Sequence, residues 1–322
     1  MTDLYYCIAA YNEQNNIGNC LESLNQQTVD ANIETIVCLN GCTDRTEEIV
    51  ALSKSKFPEL NIKTIHSEKG KSFAQNAIIQ SVNERDSPLM FVDADVTLEK
   101  NCAQILLDDI VSIPGLIVAG AWPVPREVDD ASLWEKFLFK VLHMRAFYPE
   151  AEVSVHDVSE YKSYAFEHPQ TTMSPEKEIK SKIYFHGRTF MMKNADFFHI
   201  PEDTNCADDT FLPNFIHTTY GPGSIRIRFD AITRYKPYLS LKEHYNLYRR
   251  VFWDLDNIDT QKRFSQSRRM EDTKMDWKYI FSKGPVVSIK FGIYKAITYG
   301  EELVYRLLPK KTLSEVWQYE KK

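Results

Sequence analysis

Over the first 120 residues, short apolar runs alternate with stretches in which apolar residues return every three or four positions. The runs Leu4–Ala10, Glu34–Leu39, Asn61–Ile65, Leu89–Val92 and Leu116–Ala121 read as strands. The stretches Ile17–Gln27, Thr46–Phe57, Ser72–Asn83 and Asn101–Ile113 read as helices. Strands that alternate with helices of this length predict βαβ units and an α/β fold around a mainly parallel central sheet flanked by helices.

A parallel sheet binds ligands beyond the carboxyl ends of its strands, so the residues just after each apolar run carry the most information. Strand one is followed by "AAYNEQNN", strand two by "LNGCTDRT", strand three by "HSEKGKS", and strand four ends in "FVDADV". Four polar loops on one edge predict one crevice. In a strand, residues two apart point to the same side, so Asp93 and Asp95 can address one object. A solvated turn would also suit two aspartates. Neither G-x-G-x-x-G after strand one nor G-x-x-x-x-G-K-[ST] occurs, which disfavours a nicotinamide enzyme and a P-loop nucleotidase.

Past residue 120 the pattern changes. In "SLWEKFLFKVLHMRAFY", Ser132 to Tyr148, the positions Leu133, Phe137, Val141, Met144 and Tyr148 form a helical stripe that predicts core packing, and Trp134, Leu138 and Leu142 widen it. An acceptor-lining or membrane-surface helix is the alternative. Glu150 to Lys182 is polar with little periodicity and reads as an excursion over the site. Order resumes with Ile183–Phe185 and Thr189–Met192. A helix follows "CADDTFLPNFI", then a strand "IRIRFDAITRY" and a helix "SLKEHYNLYRRVFWDL". The apolar carboxy-terminal segment, with its lysines and tyrosines, predicts a packed helix or, alternatively, an interfacial one.

Composition excludes some classes. With 43% apolar and 26% charged residues the chain has the usage of a globular protein, and its net charge of −6 argues against nucleic-acid binding. Six cysteines lack metal-type spacing and are expected as reduced, mostly buried thiols. The amino terminus carries no signal-like segment and no stretch has the length of a membrane span. Together these predict a cytoplasmic protein, with attachment at the inner face of the membrane as the alternative.

The quoted segments "AAYNEQNNIGNCLESLNQQ", "IVCLNGCTDRTEEIV", "EKGKSFAQNAI" and "FVDADV" follow in the order and spacing of glycosyltransferase family 2, and the chain resembles that family, with its GT-A fold, over about residues 4 to 215. The resemblance implies a catalytic domain over residues 1–240, a helical extension over 241–322, and transfer of a sugar from a UDP- or GDP-linked donor to an acceptor hydroxyl of unspecified kind. It implies Mn²⁺ or Mg²⁺ as cofactor, with Asp93 nearer the ribose and Asp95 on the metal, where a hard cation offsets the charge of the diphosphate leaving group.

The same resemblance sets Ala10 and Tyr11 against the base and Glu13 on the nucleotide, although "YNE" also suits a helix start capped by Asn12. Asn40 falls where many relatives carry an aspartate that accepts the base's ring N–H. Lys71 approaches nucleotide or phosphate, and His186, Gly187 and Arg188 line the sugar pocket. Asp209 matches the family's general base and Asp208 its acidic neighbour; the pair also suits a helix amino terminus. One base without a second nucleophile predicts inversion. Arg249 and Trp253 partly match a Q/R-x-x-R-W motif, with Arg249 or Arg250 on diphosphate, and His244 or His217 could complete the metal shell. Asp44 reads equally as a helix cap. A sugar nucleotidyltransferase or a catalytically silent carbohydrate-binding protein are the competing classes; the first should show a glycine-rich phosphate loop after strand one.

Overall fold

The computed structural model describes residues 3–154, 185–198, 200–201, 207–220, 222–258 and 273–308. Its main sheet has eight strands in the order β3-β2-β1-β4-β8-β6-β9-β5. These are β1 Leu4–Ala10, β2 Ile33–Asn40, β3 Ile62–Ser67, β4 Leu89–Asp93, β5 Thr97–Leu98, β6 Val118–Pro125, β8 Thr189–Met192 and β9 Ile225–Tyr235, while β7 Glu152–Ser154 pairs with β10 Thr273–Met275 in a small antiparallel sheet. The pairs β1–β2, β1–β4, β2–β3 and β6–β9 are parallel; β8 and β5 run against their neighbours.

Both faces of the sheet are covered, and its central strands β1, β4 and β8 are apolar at nearly every position. Along β1, Leu4, Tyr6, Ile8 and Ala10 face a core shared with the helices Ile17–Asn25 and Cys102–Ser112. Tyr5 and Cys7 face a second core with the helices Lys71–Ser81 and Asp208–Tyr220, in which Phe91 stacks on Phe190 and Phe198 at centroid distances of 5.1 and 4.7 Å. The thiols Cys7, Cys20, Cys38 and Cys102 are buried and reduced, and Cys42 is half-buried; Cys206 lies outside the described residues.

The predicted helical stripe at Ser132–Tyr148 is only half a core. It forms the helices Leu133–Leu142 and Met144–Phe147, which bury Leu138, Val141, Leu142 and Met144, but Leu133 is 89% and Phe137 38% exposed. A break at His143, with a second short helix after it, turns the buried side away from the first turn. The polar stretch after Glu150 also begins in order, since Glu152–Ser154 pairs with β10; residues 155–184 lie outside the described residues.

The helix Leu241–Ile258 and the carboxy-terminal helix Pro285–Leu307 pack together through His244, whose Nδ1 lies 2.8 Å from Glu301 Oε1, and through Tyr248 on Tyr294. His244, with no exposed surface, is thus turned to Glu301 and not to the acids of β4. The side chain of His217 lies outside the described residues.

His143 is held between Tyr235 and Tyr238, with Nδ1 2.8 Å from the Tyr235 hydroxyl and Nε2 3.1 Å from the Tyr238 carbonyl. A neutral ring that donates from Nε2 and accepts at Nδ1 satisfies both bonds. Burial pushes its pKa down to about 3. The unfolded chain therefore binds one more proton between the ordinary histidine value near 6.5 and that depressed value, so this contribution to stability is complete above the upper limit and is lost as pH falls through the window. Replacing His143 by Gln, which keeps a donor, should flatten the fall in unfolding free energy across this range in denaturant titrations, and an unchanged slope would assign the dependence to other groups.

Candidate active site

The strands β1, β2, β3 and β4 are mutually parallel, so Ala10, Asn40, Ser67 and Asp93 end on one edge of the sheet. The reversed strand β8 reaches the same edge with its start, because Thr189 pairs with Val92, and Asp93 N–H donates to the Arg188 carbonyl at 2.8 Å. The end of β9 arrives beside it, where the Arg188 guanidinium sits 4.3 Å above the ring of Tyr235.

Lys71 lies at the centre. Its Nζ is 2.7 Å from Asp93 Oδ1 and 3.1 Å from Asp208 Oδ2. Gln75, one helical turn on, donates to the same Asp208 oxygen at 2.7 Å, so one helix face grips the acid from two positions. Burial works against the lysine's charge, yet Asp208, Asp93 and Asp209 outweigh it and hold its pKa above the usual lysine value. Asp93 is pushed up to about 6, by burial first and by Asp95 and Asp208 next, against the pull of Lys71. With 28% of its side chain exposed, water moderates that push.

Asp208 and Asp209 begin the helix Asp208–Tyr220. Asp208 is 5% exposed and is held by Lys71 and Gln75. Asp209 has its pKa raised, by burial and then by the charge of Asp208, with Lys71, Arg250 and Arg188 opposing. The helix Leu241–Ile258 closes this side: Asp254 accepts from Ala207 N–H at 3.2 Å. Arg250, one turn earlier, feels Asp209, Asp254 and Asp93, while burial lowers its pKa. Arg249 is buried, 7% exposed.

The first two loops are tied to each other. Asn12, in the left-handed region at φ 53°, accepts from Thr43 N–H at 2.8 Å. The first helix is preceded by Asn16, so Asn12 links two loops and does not cap that helix. Asp44 accepts from Thr46 N–H at 3.0 Å and from Gln14 N–H at 3.1 Å; it stands one position ahead of Arg45, the residue that precedes the second helix, and ties that helix start to the first loop. Glu13 is buried, with its N–H on Thr46 Oγ1 at 2.7 Å and its carboxylate on Asn16 Nδ2 at 2.8 Å. The Tyr11 ring lies 4.5 Å from the Lys69 ammonium.

Asn40 is 5% exposed, and its Oδ1 accepts from Gly70 N–H at 2.7 Å. Among the described residues its amide N–H₂ donates to none. The Asp95 carboxylate is exposed and, among the described residues, makes no hydrogen bond or ion pair; its backbone carbonyl accepts from Arg126 at 3.2 Å. No group of three His, Cys, Asp or Glu side chains among the described residues forms a metal cage by itself. One free carboxylate suits a Mg²⁺-like ion, which takes one or two protein carboxylates and completes its shell with substrate phosphates.

Gln75 and Tyr235 lie in the quoted segments without any signal of their own, and Gly187, expected along the sugar pocket, has a packing role that shows only in space. A Cβ built at Gly187 would lie 2.9 Å from Asp209 Cβ and 3.3 Å from Asp208 Oδ2. Glycine is required there because the acid pair is packed directly against the backbone.

The sequence pattern described as glycosyl transferase family 2 matches residues 5–174, just over half of the chain, and the protein belongs to that family. Two proteins of Bacillus subtilis (strain 168) are similar over shorter stretches. The uncharacterized glycosyltransferase YfnE is 34% identical over 94 residues, 29% of this chain. The minor teichoic acid biosynthesis protein GgaA is 32% identical over 104 residues, 31% of this chain. The matched stretch spans 23% of the length of each. Among solved structures, the mannosyltransferase PcManGT from Pyrobaculum calidifontis, in complex with GDP-Man and Mn²⁺, superposes with a TM-score of 0.53. It is 15% identical, covering 98% of this chain and 79% of that one. At that identity the likeness shows a shared fold.

Two substitutions test how the acid pair is held. Gln75→Leu leaves a buried Asp208 oxygen short of a donor and should cost about 1–3 kcal/mol in chemical denaturation. A loss within error would mean that Lys71 alone satisfies Asp208. Gly187→Ala should displace Asp209 and lower turnover at least about tenfold while the far-ultraviolet spectrum stays native, in keeping with the sensitivity of catalysis to misplacement of about 1 Å; unchanged turnover would show that the contact relaxes freely.

Proposed function

We propose that the protein transfers a glycosyl group from a UDP- or GDP-linked sugar to an acceptor hydroxyl, by a single displacement with inversion. The observation that carries this reading is the meeting of Lys71, Asp93 and the pair Asp208–Asp209, from three distant segments, at the carboxyl edge of a parallel sheet. Residues 1–240 serve as the catalytic unit in this reading and 241–322 as a helical extension, and peripheral contact at the cytoplasmic face of a membrane accompanies it.

Donor recognition falls to the first loops. Ala10 and Tyr11 flank the base, Glu13 braces the loop, and Asn40 offers its amide hydrogens to a base acceptor because its oxygen is engaged by Gly70. Asp93 contacts the ribose. Asp95 holds Mn²⁺ or Mg²⁺, whose charge, when bound, offsets that of the diphosphate. Lys71, Arg188 and either Arg249 or Arg250 add positive charge, and Arg250 lies within electrostatic reach of Asp209 and Asp93.

Asp209 takes the proton from the acceptor hydroxyl as that oxygen attacks the anomeric carbon. A carboxyl raised by burial and by its neighbour Asp208 is a stronger base than an ordinary aspartate. Asp208, fixed by Lys71 and Gln75, keeps that neighbour in place.

Asp95→Ala should abolish Mn²⁺-dependent stabilisation by nucleotide-sugar, which for the parent protein amounts to about 2.7 kcal/mol at a hundredfold excess over Kd, and calorimetry showing unchanged metal-dependent binding would remove Asp95 from the metal. Asp209→Asn should leave donor affinity nearly intact and slow transfer by about 10²- to 10⁴-fold. Because the Asp209 pKa is raised, the acid limb of the kcat/KM profile should lie above the ordinary aspartate value of about 3.9 and vanish in the variant. A change confined to KM would place the base elsewhere.

A further inference from the structure

The carboxy-terminal helix Pro285–Leu307 inverts the usual distribution of a surface helix. Its inner side buries Phe291 and Tyr294 against Val141, Met144 and Ile280, and it sends Glu301 inward to His244. Its outer side exposes Val286, Ile289, Tyr299, Leu303 and Leu307 by 63, 64, 68, 58 and 76%. Gly292 and Gly300 lie between them, and a Cβ built on either meets nothing within 4 Å. At the helical repeat these positions fall on one side, where a surface helix ordinarily carries its charged residues. Among the described residues nothing covers that side.

The charges around this face point to its occupant. Lys290 and Lys295 stand on its two borders, both partly covered. Glu301 is turned inward to His244, and Glu302 is paired with Arg306 at 2.6 Å. From Lys283 to Lys311 the sequence carries six basic residues against two acidic ones, in a chain of net charge −6. A second copy stacked along this helix would bring like charges together. An anionic surface would receive them.

We infer that this outer face seats the protein on an anionic lipid bilayer, with the helix lying in the plane of the interface. The 23-residue helix offers an apolar strip about 35 Å long. No helix of the described residues is long and apolar enough to cross a membrane, which fits seating in the plane. The exposed Trp277 and Phe281 precede the strip directly, and aromatic rings favour the headgroup region. Basic residues beside an apolar strip add attraction to anionic lipid, an attraction that salt screens.

The test is sedimentation of the full chain with vesicles of phosphatidylcholine alone or mixed with phosphatidylglycerol. The protein should pellet with the mixed vesicles, less so in high salt, and weakly with the neutral ones. The combined variant Ile289→Glu, Leu303→Glu, Leu307→Glu alters exposed positions only, so its melting temperature and donor-induced thermal shift should match the parent. Its vesicle partition should fall about tenfold or more. Lys290→Glu with Lys295→Glu should remove the preference for anionic vesicles. A parent protein that stays in the supernatant with both vesicle types overturns the inference, as does partition unchanged in the triple variant. Should the parent elute as a dimer that the triple variant converts to monomer, with no vesicle binding, the face is an interface between copies and the inference fails.

Discussion

The Lys71 ammonium, 2.7 Å from Asp93 and 3.1 Å from Asp208, joins parts of the chain that are distant in sequence, and the rest of the crevice is arranged around it. Without a cation between them, two carboxylates at this spacing and burial would drive one another towards protonation. With it, Asp93 and Asp208 stay close, and the helix Asp208–Tyr220 is drawn against the edge of the sheet. The ion pair alone is weak grounds for stability, since desolvation offsets much of the attraction. Its effect is on register: Gln75 and the backbone at Gly187 meet the acid pair only if the helices Lys71–Ser81 and Asp208–Tyr220 hold one relative position.

A second chain of contacts supports the far wall. His143, kept neutral by burial, fixes the hydroxyl of Tyr235; the Tyr235 ring carries Arg188 above it; and the Arg188 carbonyl accepts from Asp93 N–H. Four residues from separate elements thus connect the short helices after β6 to the edge of β4. The carboxy-terminal helix acts on the same wall through His244, six residues before Arg250 on the helix Leu241–Ile258.

Much of this was legible in the sequence where local pattern decides the outcome. The boundaries of β1, β8 and β9 are those expected from the sequence, β1 and β8 as buried runs and β9 as apolar residues that largely alternate with polar ones. The loop motifs led to the carboxylates by the same logic. What stayed hidden depends on partners far along the chain. Leu133 and Phe137 lie on the apolar stripe of their helix, but the break at His143 decides which part of that stripe meets the core. Asn12 has the chemistry of a helix cap and instead binds Thr43, 31 residues on. Arg249 carries the motif and is buried, and only the packing of Leu241–Ile258 shows that its neighbour Arg250 feels Asp209, Asp254 and Asp93.

The reversed direction of β8 has a consequence for how such a protein diversifies. Because Thr189 pairs with Val92, the chain enters β8 from the crevice edge, with Phe185 buried in the second core and Arg188 over the ring of Tyr235 just before the strand begins. The loops after β1 to β4 leave the sheet at this edge, whereas the segment before β8 arrives at it. A different side chain at Arg188 would therefore alter this edge of the crevice while the strands that carry Asn40 and Asp93 keep their pairing. One strand that runs against its neighbours thus lets a single edge of the sheet be built both from chain that leaves it and from chain that enters it.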